Sequence, residues 1–327
     1  MTVAVTGATG HLGVHLIPLL RNRGQDVRAL IRTASSVLDG QDVDVVEGSV
    51  ADTPALRRLM SGVETVFHLA GVISIDGDPD GRVAAVNING TRNVVDAAID
   101  CGVKRFIHVS SIHAFDLTRD ERPIDETRPR VGERHPAYDR SKYAGEKEVR
   151  RGIARGLDAV IVNPTGVLGP LDYRPSFMGR SLLDFYHRRI PARIEGGFDF
   201  VDVRDVAEGM VAAAERGRTG ENYILSGSWC SITDVASATE RCTGVPSPRW
   251  EVSVGTVRRL LPITRMLGRF VDLPPITGES LSALEAKPGI SNARARDELG
   301  FTTRPTEESI ADAYACFRDR GLLANAG

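Results

Sequence analysis

The chain has 327 residues, and its 41 Lys and Arg nearly balance 43 Asp and Glu, leaving a formal charge of −2. That balance supplies no global field to hold DNA, RNA or an anionic membrane. With 42% hydrophobic and 26% charged residues, the mix is globular rather than disordered. No apolar run reaches the ~18 residues of a membrane span, and Met1-Thr2 leads directly into an apolar strand pattern with no basic, leader-like stretch. A cytoplasmic protein is therefore expected. A single core stops growing at roughly 250–300 residues, which predicts one large domain with a smaller one attached. Cys101, Cys230, Cys242 and Cys316 form no CxxC pair, and the seven histidines show no ligand spacing. Free thiols and no metal site are expected.

The first half alternates short apolar runs with helical stretches. Strands are predicted at 3–6, 26–31, 43–46, 65–70, 105–109 and 159–162. The helices between them fall at 12–20 (ended by Gly24), from Pro54, at 80–101 and at 137–155 (closed by Gly156). This alternation predicts an α/β fold, a Rossmann-type doubly wound parallel sheet with its ligand at the carboxyl ends of the strands. After Pro164 the pattern changes. Residues 165–200 are rich in Gly and Pro and read as an irregular segment with one helix, poor material for a parallel sheet. A helix near 205–216 and a strand at 222–225 return to the main sheet. Residues 228–327 carry helical stretches separated by Pro246, Pro248, Pro262, Pro274-Pro275 and Pro288. The expected division is a cofactor domain over 1–164, rejoined by 200–225, and a smaller interleaved substrate lobe in most of 165–327.

Gly7-Ala-Thr-Gly10-His-Leu-Gly13 stands between the first strand and the first helix. A tight turn, close approach to a pyrophosphate and close helix packing each favour glycine, and the helix N-terminus offers N–H groups to phosphates. Three glycines alone are weak evidence; placed after a strand and before a helix they predict a dinucleotide site. Some 20 residues on, a carboxylate would grip the ribose of NAD and an arginine the 2′-phosphate of NADP. Arg32 stands there without an acid, and Ser35 and Ser36 follow, so NADP is favoured over NAD. A solvated arginine at a strand end would look the same.

Tyr138 and Lys142 are four apart, on one helix face. A free phenol, with pKa about 10, exchanges protons poorly at neutral pH, and a nearby ammonium favours its phenolate. Ser110 and Ser111 follow the strand at 105–109, so a hydroxyl faces the same sheet edge. The Tyr–Lys spacing is common by chance, but with the glycine turn and strand-end serines it predicts catalysis by Ser111, Tyr138 and Lys142.

Together with Phe67-His-Leu-Ala-Gly71, Asn87-Ile-Asn-Gly-Thr91, 163–170, 200–207 and the tail motif at 291–301, these residues make the chain resemble the extended short-chain dehydrogenases/reductases over nearly its whole length. The similarity is to the NAD-dependent epimerase/dehydratase family, in the branch containing dihydroflavonol-4-reductase-like, 3β-hydroxysteroid-dehydrogenase-like and hopanoid-associated sugar-epimerase-like proteins. The resemblance implies that Tyr138 is the general acid/base, that Lys142 tunes it and holds the nicotinamide ribose, and that Ser111 hydrogen-bonds the reacting oxygen. It places Gly7, Thr9, Gly10, His11, Leu12 and Gly13 at the pyrophosphate, Leu69, Ala70 and Gly71 along the cofactor, and Pro164, Thr165 and Val167 at the nicotinamide end. Ser49 and Val50 fall at the adenine edge, where the family usually has Asp. Asn163 stands where Arg is common, a departure expected to alter the lobe packing or the substrate mouth.

The expected activity is NADP(H)-dependent interconversion of a ketone or aldehyde and an alcohol. The rivals are a nucleotide-sugar epimerase or dehydratase with tightly held NAD and, last, a non-catalytic dinucleotide sensor. A small-molecule substrate is expected, with no nucleic acid or membrane partner. A homodimer through the helices at 80–101 and 137–155 is a further implication of the resemblance. His113 is a candidate substrate contact or a plain loop residue. Tyr173, Phe177, Met178, Phe185 and Tyr186 would wall an apolar pocket or fill a core, and Arg188-Arg189 would clamp a diphosphate or end a helix in solvent.

Overall fold

The structure is a computed structural model that describes residues 1–74, 77–117, 122–259, 281 and 289–323. Val- and Ile-rich runs with no polar alternation need cover on both faces. The strands at Thr2–Thr6, Thr65–His68, Arg105–Val109 and Ala159–Pro164 are buried on both, whereas Val43–Glu47 at the sheet edge is largely exposed. In chain order these elements are β1 (Thr2–Thr6), α1 (His11–Asn22), β2 (Asp26–Ile31), β3 (Val43–Glu47), α2 (Thr53–Met60), β4 (Thr65–His68), α3 (Arg82–Ala84), α4 (Thr91–Asp100), β5 (Arg105–Val109), α5 (Ala137–Ile153) and β6 (Ala159–Pro164). Then come β7 (Gly166–Leu168), α6 (Phe177–Tyr186), β8 (Arg193–Ile194), β9 (Gly197–Asp202), α7 (Val203–Arg216), β10 (Asn222–Leu225), β11 (Ser228–Ser231), α8 (Ile232–Thr243), β12 (Glu251–Val252), α9 (Ala293–Leu299) and α10 (Thr306–Asp319).

Seven strands form one parallel sheet in the order β10-β6-β5-β4-β1-β2-β3, the Rossmann-like α/β fold. The order reverses between β1 and β4, and in an open α/β sheet such a switch point is where a ligand is received, beyond the carboxyl ends of the strands. One face buries Leu16, Ile17 and Leu20 of α1 against Val206 and Met210 of α7 and Leu299 of α9. The other buries Leu56 and Leu59 of α2, Val94 and Val95 of α4 and Val149 of α5. The α2 start is as the sequence implies, with Asp52 accepting the Ala55 N–H at 3.0 Å and Pro54 in the first turn.

Two regions depart from expectation. The single helix predicted at 80–101 is interrupted: a π-helical turn, Ala85–Gly90, separates α3 from α4. The segment judged poor for a parallel sheet supplies one. β7 pairs parallel with β9, and antiparallel β11 completes a three-stranded sheet. The strands are short, and the pairing joins residues far apart in the chain, so no local periodicity announces it. Leu168, Leu182, Phe185, Tyr314 and Phe317 form a further apolar cluster beneath this sheet, α6, α8 and α10. The stretches around Pro262, Pro274-Pro275 and Pro288 lie outside the described residues.

Candidate active site

The glycine turn is shaped by close contacts rather than by composition alone. Gly7 has φ +74°, and a Cβ there would lie 2.8 Å from the Ala70 nitrogen; one on Gly13 would lie 2.4 Å from the Ala8 carbonyl oxygen. Both positions exclude a side chain. Gly10 is different: a Cβ would meet only the Gly7 oxygen, at 3.2 Å, so its other side is open. Gly10 also precedes α1, whose first turn has no side-chain cap and no acid. An open glycine before an uncapped helix start is a cradle that suits a pyrophosphate.

The other sequence-predicted cofactor residues lie along the carboxyl ends of the strands and the start of α1. Thr6 ties the ends of β1 and β4 together, its hydroxyl accepting the Ala70 N–H at 3.3 Å, and Leu69 and Ala70 lie partly exposed beside it. His11 and His15 both donate Nε2–H to the Pro170 carbonyl, at 2.8 and 3.0 Å, which anchors α1 to the segment after Pro164. Thr165 donates from its hydroxyl to Asp199 at 2.7 Å, while Val167 packs on the α1 side of the sheet. At the far end, Arg32 is exposed just past β2 and makes no hydrogen bond or ion pair with the described residues. Ser49 and Val50 are more engaged than expected. The Ser49 hydroxyl accepts the Ala51 N–H at 3.2 Å, and the Val50 carbonyl accepts from Asn93 at 3.0 Å.

Ser111, Tyr138 and Lys142 are brought together where β5 ends against the start of α5. Ser111 caps the short turn Ile112–Ala114, accepting the His113 N–H at 3.2 Å. Tyr138 lies in the first turn of α5, and burial pushes its phenol up to about 12, with the Ser111 hydroxyl acting in the opposite direction. Lys142, one helical turn on, is buried and donates to the Val109 carbonyl at 2.9 Å. Burial pushes its ammonium down to about 8, and Glu146 opposes that shift. Gly71 overlies it: a Cβ there would sit 3.8 Å from Lys142 Nζ.

Several residues given no individual catalytic or cofactor role from the sequence organise this site. Asn87, in the π-helical turn, donates to the Val72 carbonyl and to Ser141 Oγ, both at 2.9 Å, and accepts the Val72 N–H at 2.8 Å. It therefore fastens the loop after β4 to α5. His68 and His108 stack 5.3 Å apart, fully buried; burial and the Lys142 charge lower both, His68 to about 3. They are neutral imidazoles. Asn163 is buried and donates to the Ser111 carbonyl at 2.9 Å and to Glu146 at 2.8 Å, so the departure at this position acts on the floor of the site. Spacing could have revealed Glu146, the third member of a 138, 142, 146 series on one helix face.

Of the weaker candidates, His113 stands beside Tyr138, with ring centroids 5.7 Å apart, and its Nδ1 lies 3.1 Å from Asp139. Met178, Phe185 and Tyr186 pack into the apolar cluster rather than lining a separate wall. Arg189 is exposed and paired with Asp184 at 3.3 Å, and Arg188 is exposed beside it. Among the described residues, no helix is long and apolar enough to cross a membrane.

Comparison with known proteins agrees with this architecture. Residues 3–226 match the model of the NAD dependent epimerase/dehydratase family. The chain is similar to sterol demethylase protein B of Methylococcus capsulatus, at 37% identity over 99% of this chain and 100% of that protein. It is also similar to a Synechocystis protein whose name carries the words dihydroflavonol 4-reductase, at 33% identity over 98% of this chain and 95% of that one. Its fold superimposes on the crystal structure of a nucleoside-diphosphate-sugar epimerase from Pseudomonas aeruginosa with a TM-score of 0.83, at 25% identity and covering 98% and 99% of the two chains. With a parallel sheet that opens on a glycine cradle and a family match across most of its length, the chain belongs to the NAD dependent epimerase/dehydratase family, the NAD(P)-binding enzymes of the extended short-chain dehydrogenase/reductase type.

Proposed function

We propose that the protein is an NADP(H)-dependent oxidoreductase that interconverts a ketone or aldehyde and an alcohol. The observation that carries this reading is the meeting of Ser111, Tyr138 and Lys142 at one sheet edge, with Gly71 directly over the lysine. A nicotinamide cofactor fits the open side of Gly10 and the uncapped start of α1, and when bound it supplies or receives the hydride. In the free protein the Tyr138 phenol, pushed up to about 12, is protonated at neutral pH, so it is loaded as the proton donor for reduction. Ser111 offers a hydroxyl to the substrate oxygen as negative charge develops there. Lys142 carries the charge that favours the phenolate in the oxidative direction and holds the ribose hydroxyls. Leu69, Ala70, Pro164, Thr165 and Val167 would line the cofactor, and Ser49 and Val50 its adenine. An exposed Arg32 that makes no ion pair with the described residues, after a strand that ends without a carboxylate, supports NADP over NAD.

We assign the cofactor domain to 1–164 with 200–225, and the substrate lobe mainly to 165–327. The apolar cluster of Leu168, Phe185 and Tyr314, distinct from the two that flank the main sheet, supports this division. The rival is a nucleotide-sugar epimerase, as the P. aeruginosa relative is named. It needs a diphosphate clamp, and of the candidate pair Arg188-Arg189 the second is already paired with Asp184. Release and identification of the nucleotide that purifies with the protein tests the choice. Freely exchanging NADP(H) is expected; tightly retained NAD would overturn the reductase reading in favour of the epimerase.

A further inference from the structure

The turn that follows Ser111 is held firmly by its backbone. The Ala114 N–H donates to the Ser111 carbonyl at 3.1 Å and the Phe115 N–H to the Ile112 carbonyl at 3.0 Å, while the Ser111 hydroxyl accepts the His113 N–H at 3.2 Å. Ile112, Ala114 and Phe115 are buried. His113 is the residue of this turn that faces outward, its side chain 36% exposed. Two contacts with α5 then fix the ring. It meets the Tyr138 ring edge to face, with centroids 5.7 Å apart, and its Nδ1 lies 3.1 Å from Oδ1 of Asp139, a largely buried carboxylate. A carboxylate at that distance favours the ring proton on Nδ1 and leaves Nε2, on the opposite side of the ring, as an acceptor. Nε2 makes no hydrogen bond with the described residues. An oriented acceptor therefore stands open beside the phenol that Ser111 also touches. An acid in the first turn of α5 suits the helix dipole by itself. At this position, however, the Asp139 charge also opposes a phenolate at Tyr138, a cost that a purely structural acid one turn away would not carry.

We propose that His113, oriented by Asp139, is a specificity-determining substrate contact whose Nε2 accepts a hydrogen bond from a hydroxyl on the carbon next to the reacting carbonyl. The substrates are then α-hydroxy ketones or aldehydes and the products vicinal diols. The inference rests on the reading of Ser111 and Tyr138 as the groups that hold the reacting oxygen, and deepens it by naming the substrate class. His113 follows Ser111 by two residues and touches the Tyr138 ring, so a group bonded to Nε2 lies close to the oxygen those two hold. In reduction the hydride of the nicotinamide adds to the carbonyl carbon and the Tyr138 proton goes to its oxygen. The neighbouring hydroxyl is unchanged and serves as the handle. An anionic group in its place would meet a lone pair backed by the Asp139 charge, which disfavours it.

The test compares ketones in matched pairs that differ by a hydroxyl: 2-hydroxyacetophenone with acetophenone, 2-hydroxycyclohexanone with cyclohexanone, and hydroxyacetone with acetone. The kcat/KM of each is read from NADPH oxidation, with thermal unfolding of every variant recorded in parallel. Water can reach an unoccupied Nε2, so the plain ketone strands no buried acceptor and the expected preference is moderate, roughly tenfold for the hydroxy ketone. His113→Phe keeps a ring against Tyr138 and removes the acceptor, and its preference should fall to about one. Asp139→Ala frees the imidazole to turn or change tautomer and should lose part of the preference with His113 still in place. A pair that only supports the start of α5 predicts lower melting temperatures in both variants with the preference intact. That result overturns the inference, as does a wild type that reduces both members of each pair equally well; either leaves the carbonyl reading standing. Should His113→Phe not fold, Asp139→Ala decides in the same terms. A wild type that reduces no member of any pair removes the carbonyl reading, and this inference with it.

Discussion

Replacing Lys142 with methionine should make the cofactor-free protein more stable at neutral pH while it abolishes function. Burial pushes the Lys142 ammonium from its ordinary 10.5 to about 8. The folded value lies below the unfolded one, so folding carries the cost of a desolvated ammonium wherever both states are protonated, at and below pH 8. Between pH 8 and 10.5 the folded state releases its proton first and the cost fades; above 10.5 it is gone. A difference of 2.5 units corresponds to roughly 3 kcal/mol. Methionine, of similar length, escapes this cost but leaves the Val109 carbonyl, now bonded to Nζ at 2.9 Å, without its donor, a loss of ~1 kcal/mol. The net expectation is a gain of about 2 kcal/mol at pH 7. Urea unfolding of wild type and Lys142→Met without cofactor, at pH 7 and pH 10.5, reads it directly. The gain should shrink to nothing, or reverse, at the higher pH. A variant no more stable than wild type at pH 7, or one whose advantage does not depend on pH, would refute the reasoning. A stabilised but inactive variant is the signature of a site held at a stability cost.

Three further expectations follow from the same geometry. Tyr138→Phe should bind NADPH as wild type does yet turn over an identified carbonyl substrate at least ~10²-fold more slowly; a rate within about threefold of wild type would remove Tyr138 from the proton-transfer role. Arg32→Asp should weaken NADPH by roughly tenfold or more while sparing or improving NADH, because only NADPH carries a 2′-phosphate for the guanidinium to meet. Paired fluorescence titrations decide it, and equal weakening of both cofactors would make Arg32 structural. Gly13→Ala should destabilise the apoprotein by on the order of 1–3 kcal/mol, since its Cβ would press within 2.4 Å of the Ala8 oxygen. Gly10→Ala, whose Cβ meets one atom at 3.2 Å, should instead fold normally and lose cofactor affinity; thermal unfolding beside NADPH binding separates the two.

What the sequence made legible was what local patterns encode. Continuous apolar runs such as Ala159-Val-Ile-Val162 marked strands buried on two faces, and the glycines at 7, 10 and 13 marked the turn between the first strand and helix, where Gly7 and Gly13 leave no room for a Cβ. The four-residue spacing of Tyr138 and Lys142 sufficed to put them on one face of α5. Hidden from sequence were features defined only in three dimensions. The β7 pairing with β9 rests on three residue pairs across a long chain separation, and neither strand has a period long enough to read. Arg130 reaches Glu146 from an irregular segment, where no spacing rule predicts a partner. Asn163 stood out as a departure, but its hydrogen bonds to Ser111 and Glu146 required the fold to be seen.

The π-helical turn at Ala85–Gly90 bears on how this protein should be compared with its relatives. A π-helical turn accommodates one residue more than an α-helical path, so the helix beyond it is rotated by about 100° relative to the helix before it. Asn87 sits inside that phase change, holding both the loop after β4 and Ser141 on α5. A relative shorter by one residue here would keep its helix and lose this orientation. In an alignment the difference would appear as a single-residue gap in a helix, easily dismissed as drift. Physically it would be an insertion that re-aims Asn87 and with it the tie between the loop after β4 and α5.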